Sequence, residues 1–225
     1  MSGNLTHLDD HELVEEIAER NMEAMKELLD RYADIVTLMS YRILCDHLDS
    51  VWVTREVFLD VCQRPRLHGR KISVQLWILK KLVYRCRKQL FLNRFAELFR
   101  RSQSLFVSSR PKVDDMDDYV TTQAWEVFCR ACLGTTAMQR IIYSLYELGG
   151  FSDEDITLVT GVHKRGIYLL IGSMRKRIRM ELAKFKKAGK YAHFVNFLKK
   201  VRDQRMDNEK LKMEILYLCR KFHRP

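Results

Sequence analysis

Apolar residues recur at steps of three and four positions along most of the chain, which is the spacing of an amphipathic α-helix. In the first half of the chain, four such segments each follow residues that commonly cap a helix. The capping residues are Asp9 or Asp10, Asn21, Asp46 or Asp49, and Ser73. Pro65 stops the third segment, and Gly69 marks a turn before the fourth, a long basic helix that we expect to extend to about Arg101.

The second half of the chain has the same periodicity. Ser152 is placed to cap a short helix whose first turn holds the acids at 153–155. Gly161 then marks a tight turn, and a longer helix begins near His163 or Lys164. The apolar stripe of this longer helix consists of Ile167, Ile171, Met174 and Ile178. A helix, a glycine turn and a second helix are typical of a helix-turn-helix, although an ordinary antiparallel helix pair has a similar pattern.

Residues 103–117 interrupt the helical pattern with serines, a proline and an acidic run, a composition typical of a linker. We therefore predict an all-α fold with two helical domains, residues 1–102 and 118–185, joined by a flexible linker. Residues 186–225 form a C-terminal extension with two further amphipathic helices. Their apolar stripes are Tyr191, Phe194, Val195, Leu198 and Val201 in the first, and Leu211, Ile215, Leu218 and Phe222 in the second. The extension either caps the second domain or docks on another protein or on DNA; a membrane surface is the least favoured alternative.

Composition narrows the class of protein. The 225 residues include only 9 Gly and 3 Pro, too few turn residues for a β-barrel or β-sandwich. No apolar run approaches the ~18 residues that span a bilayer, and the polar, acidic start of the sequence is unlike a signal peptide. We therefore expect no membrane insertion. No NTPase or hydrolase motif is present, so we expect neither an enzyme nor a cofactor.

The six cysteines follow no repeating frame, which indicates reduced thiols and a cytoplasmic location. Cys129 and Cys132 are spaced like two zinc ligands. Because two more ligands at suitable spacing are missing from the sequence, buried thiols one helical turn apart are the favoured interpretation, and we expect no metal.

Charge is segregated along the chain. The formal net charge of +11 divides into −9 for residues 1–60, +12 for 61–110, −6 for 111–160 and +14 for 161–225. One basic block alone would favour a solvated helix face. Two blocks, each following an acidic one, favour two surfaces that bind a polyanion, and nucleic acid is the polyanion we expect.

Three stretches carry a family resemblance that covers about residues 8–184. The first, at residues 12–32, contains EL and AMKELLDRY. The second, at 44–58, contains LCDHLD and EVF, and the basic helix after it contains VQLWI at 74–78. The third, at 140–162, contains RII, LYELGGFSDEDI and GV. In this order, with a linker between them, they resemble regions two and four of bacterial RNA polymerase sigma factors of the extracytoplasmic-function type, in the sigma-70 family.

The resemblance implies a factor that binds the clamp and flap of core RNA polymerase and directs promoter recognition and opening. Region two would correspond to the first domain and region four to the second. The implied polymerase-binding residues are Asp49, Val51, Trp52, Arg55, Glu56 and Phe58. Val51 and Trp52 replace the family's usual acidic pair, and Arg55 replaces its glutamine. Phe58 is alternatively a core residue.

The resemblance also implies two sets of DNA-binding residues. The set for promoter opening is Arg64, Arg66, His68, Arg70, Lys71, Lys80, Lys81, Tyr84, Arg85 and Lys88. The set in the helix-turn-helix is Lys164, Arg165, Tyr168, Ser173, Arg175, Lys176 and Arg179. The face opposite the apolar stripe also carries Leu169, Gly172 and Met180, whose side chains offer no hydrogen-bonding group to base edges. We therefore expect phosphate contacts with weak sequence discrimination.

Weak discrimination suggests that a separate DNA-targeting protein, even an RNA-guided one, brings this chain to promoters. An anti-sigma protein is a further expected partner, and the expected location is the bacterial nucleoid. Two other functions stay open. One is a helix-turn-helix regulator that does not bind polymerase, and the other is a sigma-shaped protein that binds polymerase without opening DNA.

Overall fold

The computed structural model describes residues 5–65, 72–100, 116–184, 191–200 and 208–222. Within these ranges every regular element is helical and no strand occurs, which confirms the all-α fold class. The predicted linker lies outside the described residues except for its last two positions, which belong to a helix. The chain divides into two compact units, one from Met1–Cys86 with Asp203–Pro225 and the other from Arg87–Arg202.

Ten α-helices are present in the described part of the chain. They are α1 (Asp10–Ala18), α2 (Met22–Leu44), α3 (His47–Gln63), α4 (Val74–Arg100), α5 (Met116–Cys132), α6 (Ala137–Tyr143), α7 (Asp153–Thr160), α8 (Lys164–Leu182), α9 (Tyr191–Lys200) and α10 (Asn208–Phe222). A π-helical turn, Ser144–Leu148, continues α6. None of the helices in these ranges is long and apolar enough to cross a membrane.

Side-chain caps begin the first three helices. Asp9 and Glu12 form a capping box at the start of α1, and Asn21 caps α2. The sequence left Asp46 and Asp49 as alternatives at α3. Asp46 is the cap, because its carboxylate accepts a hydrogen bond of 2.9 Å from the Asp49 backbone N–H.

The core of the first unit lies where α2 packs against α3. Leu28, Ile43, Val57 and Phe58 are fully buried there. The helices α1 and α10 pack on the same pair. The apolar positions of α1 and α3 therefore face inward, as their periodicity predicts.

The buried face of α10 differs from the predicted stripe. Leu211 and Ile215 are buried as expected, but Leu218 is half-buried and Phe222 is exposed. The buried face is completed by Leu216 and Cys219 instead. This is the face that packs against α2 and α3, and its Cys219 shares a hydrogen bond with Cys62 of α3.

The second unit contains the predicted helix-turn-helix. Helix α8 packs against α5, α6 and α7, and its four predicted stripe residues are all buried. Ser152 caps α7 in a capping box with Asp155, and Gly161 ends it with φ of 74°. This left-handed conformation favours glycine, which explains why the turn falls there.

The helix α9 packs against α5 and the π-helical turn in the second unit. Its residues Phe194, Val195 and Leu198 are buried, as the sequence predicts. Val201 and the side chain of Tyr191 lie outside the described residues. The C-terminal extension thus contributes one helix to each unit.

Candidate nucleic-acid interface

The start of α7 is tied to the start of α8 through Asp153. Its carboxylate accepts a hydrogen bond of 2.7 Å from the Tyr168 hydroxyl and a 2.8 Å contact from the Lys164 ammonium. Lys164 and then Tyr168 hold the pKa of Asp153 below its ordinary value. The hydrogen bond with Asp153 raises the pKa of Tyr168 to about 12. Two predicted DNA contacts, Lys164 and Tyr168, therefore position α8 against α7.

The face of α8 opposite its buried stripe points to solvent. Its members Arg165, Leu169, Gly172, Ser173, Lys176 and Met180 are all exposed. Leu169 is 68% exposed and Met180 is 59% exposed. The outward face is therefore an alternation of cations and apolar side chains.

Two further predicted contacts in α8, Arg175 and Ser173, also have partners within this unit. Arg175 forms an ion pair with Glu147 of the π-helical turn. Ser173 accepts a hydrogen bond of 2.9 Å from the side-chain amide of Gln139.

Three other predicted contacts in α8 are cations on its surface. Arg165, Lys176 and Arg179 are all exposed. Their charge and donor groups suit phosphate oxygens. On the exposed face opposite the buried stripe, Leu169 and Met180 offer no hydrogen-bond donor or acceptor to base edges.

A second basic surface lies on α4. Lys80, Tyr84 and Lys88 recur at four-residue steps and are all exposed, with Tyr84 at 64%. The Tyr84 ring beside the Lys80 ammonium suits a single strand, because the ring can stack on a base while the lysine meets a phosphate. Lys81 lies at the edge of this surface, with its ammonium 4.7 Å from the centre of the Trp77 ring. Burial lowers the pKa of Lys81.

Arg85 has a different environment from its neighbours on α4. Its guanidinium contacts Glu56 at 3.1 Å and Asp60 at 2.7 Å, both on α3. The side chain is half-buried, and its charge is compensated. Arg85 therefore joins α4 to α3, a position that the sequence-based assignment to DNA did not anticipate.

The predicted basic loop is described only in part. Arg64 is exposed at the end of α3. Arg66, His68, Arg70 and Lys71 lie outside the described residues. The described members of the predicted opening region are therefore Arg64 and the residues on α4.

The predicted polymerase-binding residues occupy different sides of α3. Asp49, Val51 and Trp52 are half-buried in its first two turns. Phe58 is fully buried, so it is a core residue and does not present a surface for polymerase.

Two charged members of the same set are paired with other helices. Arg55 donates to Glu214 of α10 at 3.0 Å, and Glu56 pairs with Arg85 of α4. The sequence motifs do not identify Leu48 as a surface residue, although its side chain is 77% exposed one helical turn before Trp52. Leu48 lies at the start of an amphipathic helix and off its apolar stripe, and this position in the sequence already indicates an exposed apolar side chain.

Metal-binding and thiol groups add no chemistry to these surfaces. Within the described ranges no group of three or more histidine, cysteine or acidic side chains is arranged to hold a metal ion. Cys132 is buried and Cys129 is half-buried on adjacent turns of α5. What the surfaces offer is charge, an aromatic ring and exposed apolar side chains.

No protein-family model matches the chain, and no curated protein resembles it significantly. The resemblance to sigma factors therefore rests on the sequence motifs and their order.

Proposed function

We propose that the chain is a sigma-like transcription initiation factor that binds core RNA polymerase and directs promoter recognition and opening. The observation that carries the proposal is the helix-turn-helix formed by α7, Gly161 and α8. Its second helix keeps three cations, Arg165, Lys176 and Arg179, on the surface. A helix presented in this way can lie against duplex DNA.

The first unit supports the other half of the proposal. The helices α2 and α3 form a packed pair, and the beginning of α3 presents Leu48 and Trp52 one turn apart beside Asp49. Partly exposed aromatic and apolar side chains next to a charge suit a protein–protein contact. On α4, the exposed ring of Tyr84 beside Lys80 suits an opened strand. A plain repressor would need neither surface.

The chemistry of α8 favours recruitment by a partner. Arg165 and Lys176 supply attraction to phosphates, whereas Leu169 and Met180 supply no hydrogen-bonding group for base edges. A factor of this kind gains promoter specificity from a separate DNA-targeting protein that binds the second unit or the C-terminal helices.

The first test is capture of partners from native cells with the tagged full-length chain. Core polymerase subunits in stoichiometric amounts are the expected result, and an additional DNA-targeting protein would support recruitment. Recovery of duplex DNA without polymerase at moderate salt would contradict the proposal and favour a helix-turn-helix regulator.

Two variants test whether α3 is the helix that binds polymerase. Trp52→Ala combined with Asp49→Lys should reduce capture of polymerase, because both side chains lie at the start of α3. Lys26→Ala is the matched control, since Lys26 is exposed on the neighbouring helix α2 and outside the predicted contact set. Equal capture by both variants would show that α3 is not the polymerase-binding helix.

A further inference from the structure

The helix α10 fills the groove between α2 and α3. Along α2 it makes two polar contacts in antiparallel order, Asn208 to Asp34 at 2.9 Å and Lys212 to Asp30 at 3.1 Å. Leu211, Ile215, Leu216 and Cys219 provide the buried apolar face beneath these contacts.

Along α3, the contacts of α10 follow one another in parallel order. Glu214 accepts from Arg55 at 3.0 Å, and Cys219 shares a hydrogen bond with Cys62 two turns later. The contacts with both helices fix one register for α10, because the polar pairs lie at opposite edges of one apolar face.

We propose that α10 is an inhibitory helix that competes with core polymerase for α3. This inference rests on the proposed function, in which α3 is the polymerase-binding helix. The two sites overlap at Arg55, which belongs to the predicted polymerase-binding set and is held by Glu214. A partner that engages α3 from Asp49 to Arg55 must release Arg55 from α10 first.

The composition of the contact suits a helix that can be displaced. The Arg55–Glu214 pair, which overlaps the predicted polymerase-binding set, is near the surface, where ion pairs contribute little to stability and weaken with salt, whereas the Lys212 side chain is only 11% exposed. The apolar face of α10 spans a single helix of 15 residues. A helix of that length is only marginally stable alone, so undocking and local unfolding of α10 can occur together.

The expected change in affinity for polymerase follows from the fraction of molecules in which α10 is docked. If α10 is docked in about nine molecules of ten, releasing it strengthens the apparent affinity for polymerase about tenfold. If α10 is docked in a larger fraction of the molecules, its release strengthens the apparent affinity by a larger factor. The effect appears in the apparent Kd of the full-length chain for purified core polymerase.

Four full-length variants test the proposal. Ile215→Asp places a charge in the fully buried apolar face, and Lys212→Asp turns the attraction to Asp30 into repulsion. Asp30→Lys combined with Lys212→Asp restores the pair with its charges exchanged. Met213→Asp is the control, because Met213 is 66% exposed on the same helix. None of these positions belongs to the predicted polymerase-binding set.

The proposal expects Ile215→Asp and Lys212→Asp to bind core polymerase about tenfold more tightly than the unmodified chain. Met213→Asp should bind like the unmodified chain, and the exchanged pair should return the Kd toward its original value. Circular dichroism checks that each variant is folded. If Ile215→Asp unfolds the unit, the Lys212→Asp variant and its exchanged partner decide the question.

Other outcomes distinguish failure of the inhibitory role from failure of the proposed function. Equal binding by all variants overturns the inhibitory role and leaves the proposed function standing. Weaker binding after α10 is loosened also overturns it, because α10 would then be part of the polymerase contact. Failure of every folded variant to bind polymerase overturns the proposed function together with the inference.

Discussion

Tyr168 of α8 donates a hydrogen bond of 2.7 Å to Asp153, the first residue of α7. Asp153 is buried and also contacts Lys164 at 2.8 Å. One carboxylate thus holds two side chains from the first turns of α8. Both contacts favour the ionised form of this carboxylate.

The first prediction concerns acid sensitivity at Asp153. Lys164 and Tyr168 lower the pKa of this carboxyl in the folded state. Its contribution to stability is therefore fully present above its unfolded pKa of 3.8 and disappears as pH falls through the lower folded value. Asp153→Asn should remove this component of the pH dependence of unfolding, measured by denaturant titration between about pH 5 and pH 2.

Glu154→Gln is the control for this prediction. Glu154 is an exposed acid in the same turn, and its carboxylate lies 3.9 Å from Lys164. Retention of the full acid dependence in Asp153→Asn would contradict the role assigned to Asp153.

The second prediction compares two glycines in the helix-turn-helix. Gly161 has φ of 74°, where a side chain is strained, so Gly161→Ala should destabilise the chain by about 1–2 kcal/mol. Gly172 is in the exposed middle of α8, and a Cβ there meets no atom within 4 Å. Gly172→Ala should therefore stabilise it by about 0.5–1 kcal/mol. Opposite signs in thermal unfolding are expected, and a shared sign would argue against this turn geometry.

The third prediction separates Arg85 from its neighbours. Arg85→Ala should destabilise the protein by about 1–3 kcal/mol, because Glu56 and Asp60 lose a charged hydrogen-bond donor. Lys80→Ala and Lys88→Ala should leave stability unchanged and weaken binding to single-stranded DNA. Denaturant unfolding and anisotropy with a labelled oligonucleotide measure the two effects. A stable Arg85→Ala variant with weakened DNA binding would return Arg85 to the DNA-binding set.

Local structure in this chain could be predicted from the sequence because its signals are local. The cap at Ser152, the turn at Gly161 and the stripe from Ile167 to Ile178 depend on neighbouring residues, and all three are present. Side-chain pairing between distant segments has no such signal. Arg85 pairs with Glu56 of the preceding helix, and Arg55 pairs with Glu214 of the last helix, so both pairs result from packing between different helices.

The buried face of α10 is another feature that the sequence pattern alone does not determine. Leu218 and Phe222 fit the helical period as well as Cys219 does, so periodicity alone could not choose between two adjacent faces. In the folded chain the face that carries Cys219 lies in the groove between α2 and α3, where Cys219 meets Cys62. The π-helical turn after Tyr143 likewise has no local signal that the apolar pattern contains.

The fourth prediction concerns the six thiols. Cys62, Cys86, Cys132 and Cys219 are buried, and Cys45 and Cys129 are half-buried. Burial raises the pKa of the Cys86 thiol, and the hydrogen bond with Cys62 raises that of Cys219. Because the thiolate is the reactive form, alkylation of the native protein should modify Cys45 and Cys129 first. Mass spectrometry of the labelled peptides measures the order, with the denatured protein as the control; early labelling of Cys86 would contradict its burial.

The last prediction concerns how α8 binds DNA. Arg165 and Lys176 are exposed cations beside apolar Leu169, so they should contact phosphates without reading sequence. Arg165→Ala and Lys176→Ala should each weaken binding about equally for duplexes of different sequence. Each should also lower the slope of log K against log salt by about one.

Leu169→Ala is the matched control, because it changes the same face without removing a charge. It should leave the salt slope unchanged. Anisotropy titrations of the full-length chain with two unrelated duplexes at several salt concentrations provide all of these values. If Arg165→Ala weakened binding to one duplex at least tenfold while sparing the other, Arg165 would be a base-reading residue, and α8 would recognise sequence without help from a partner.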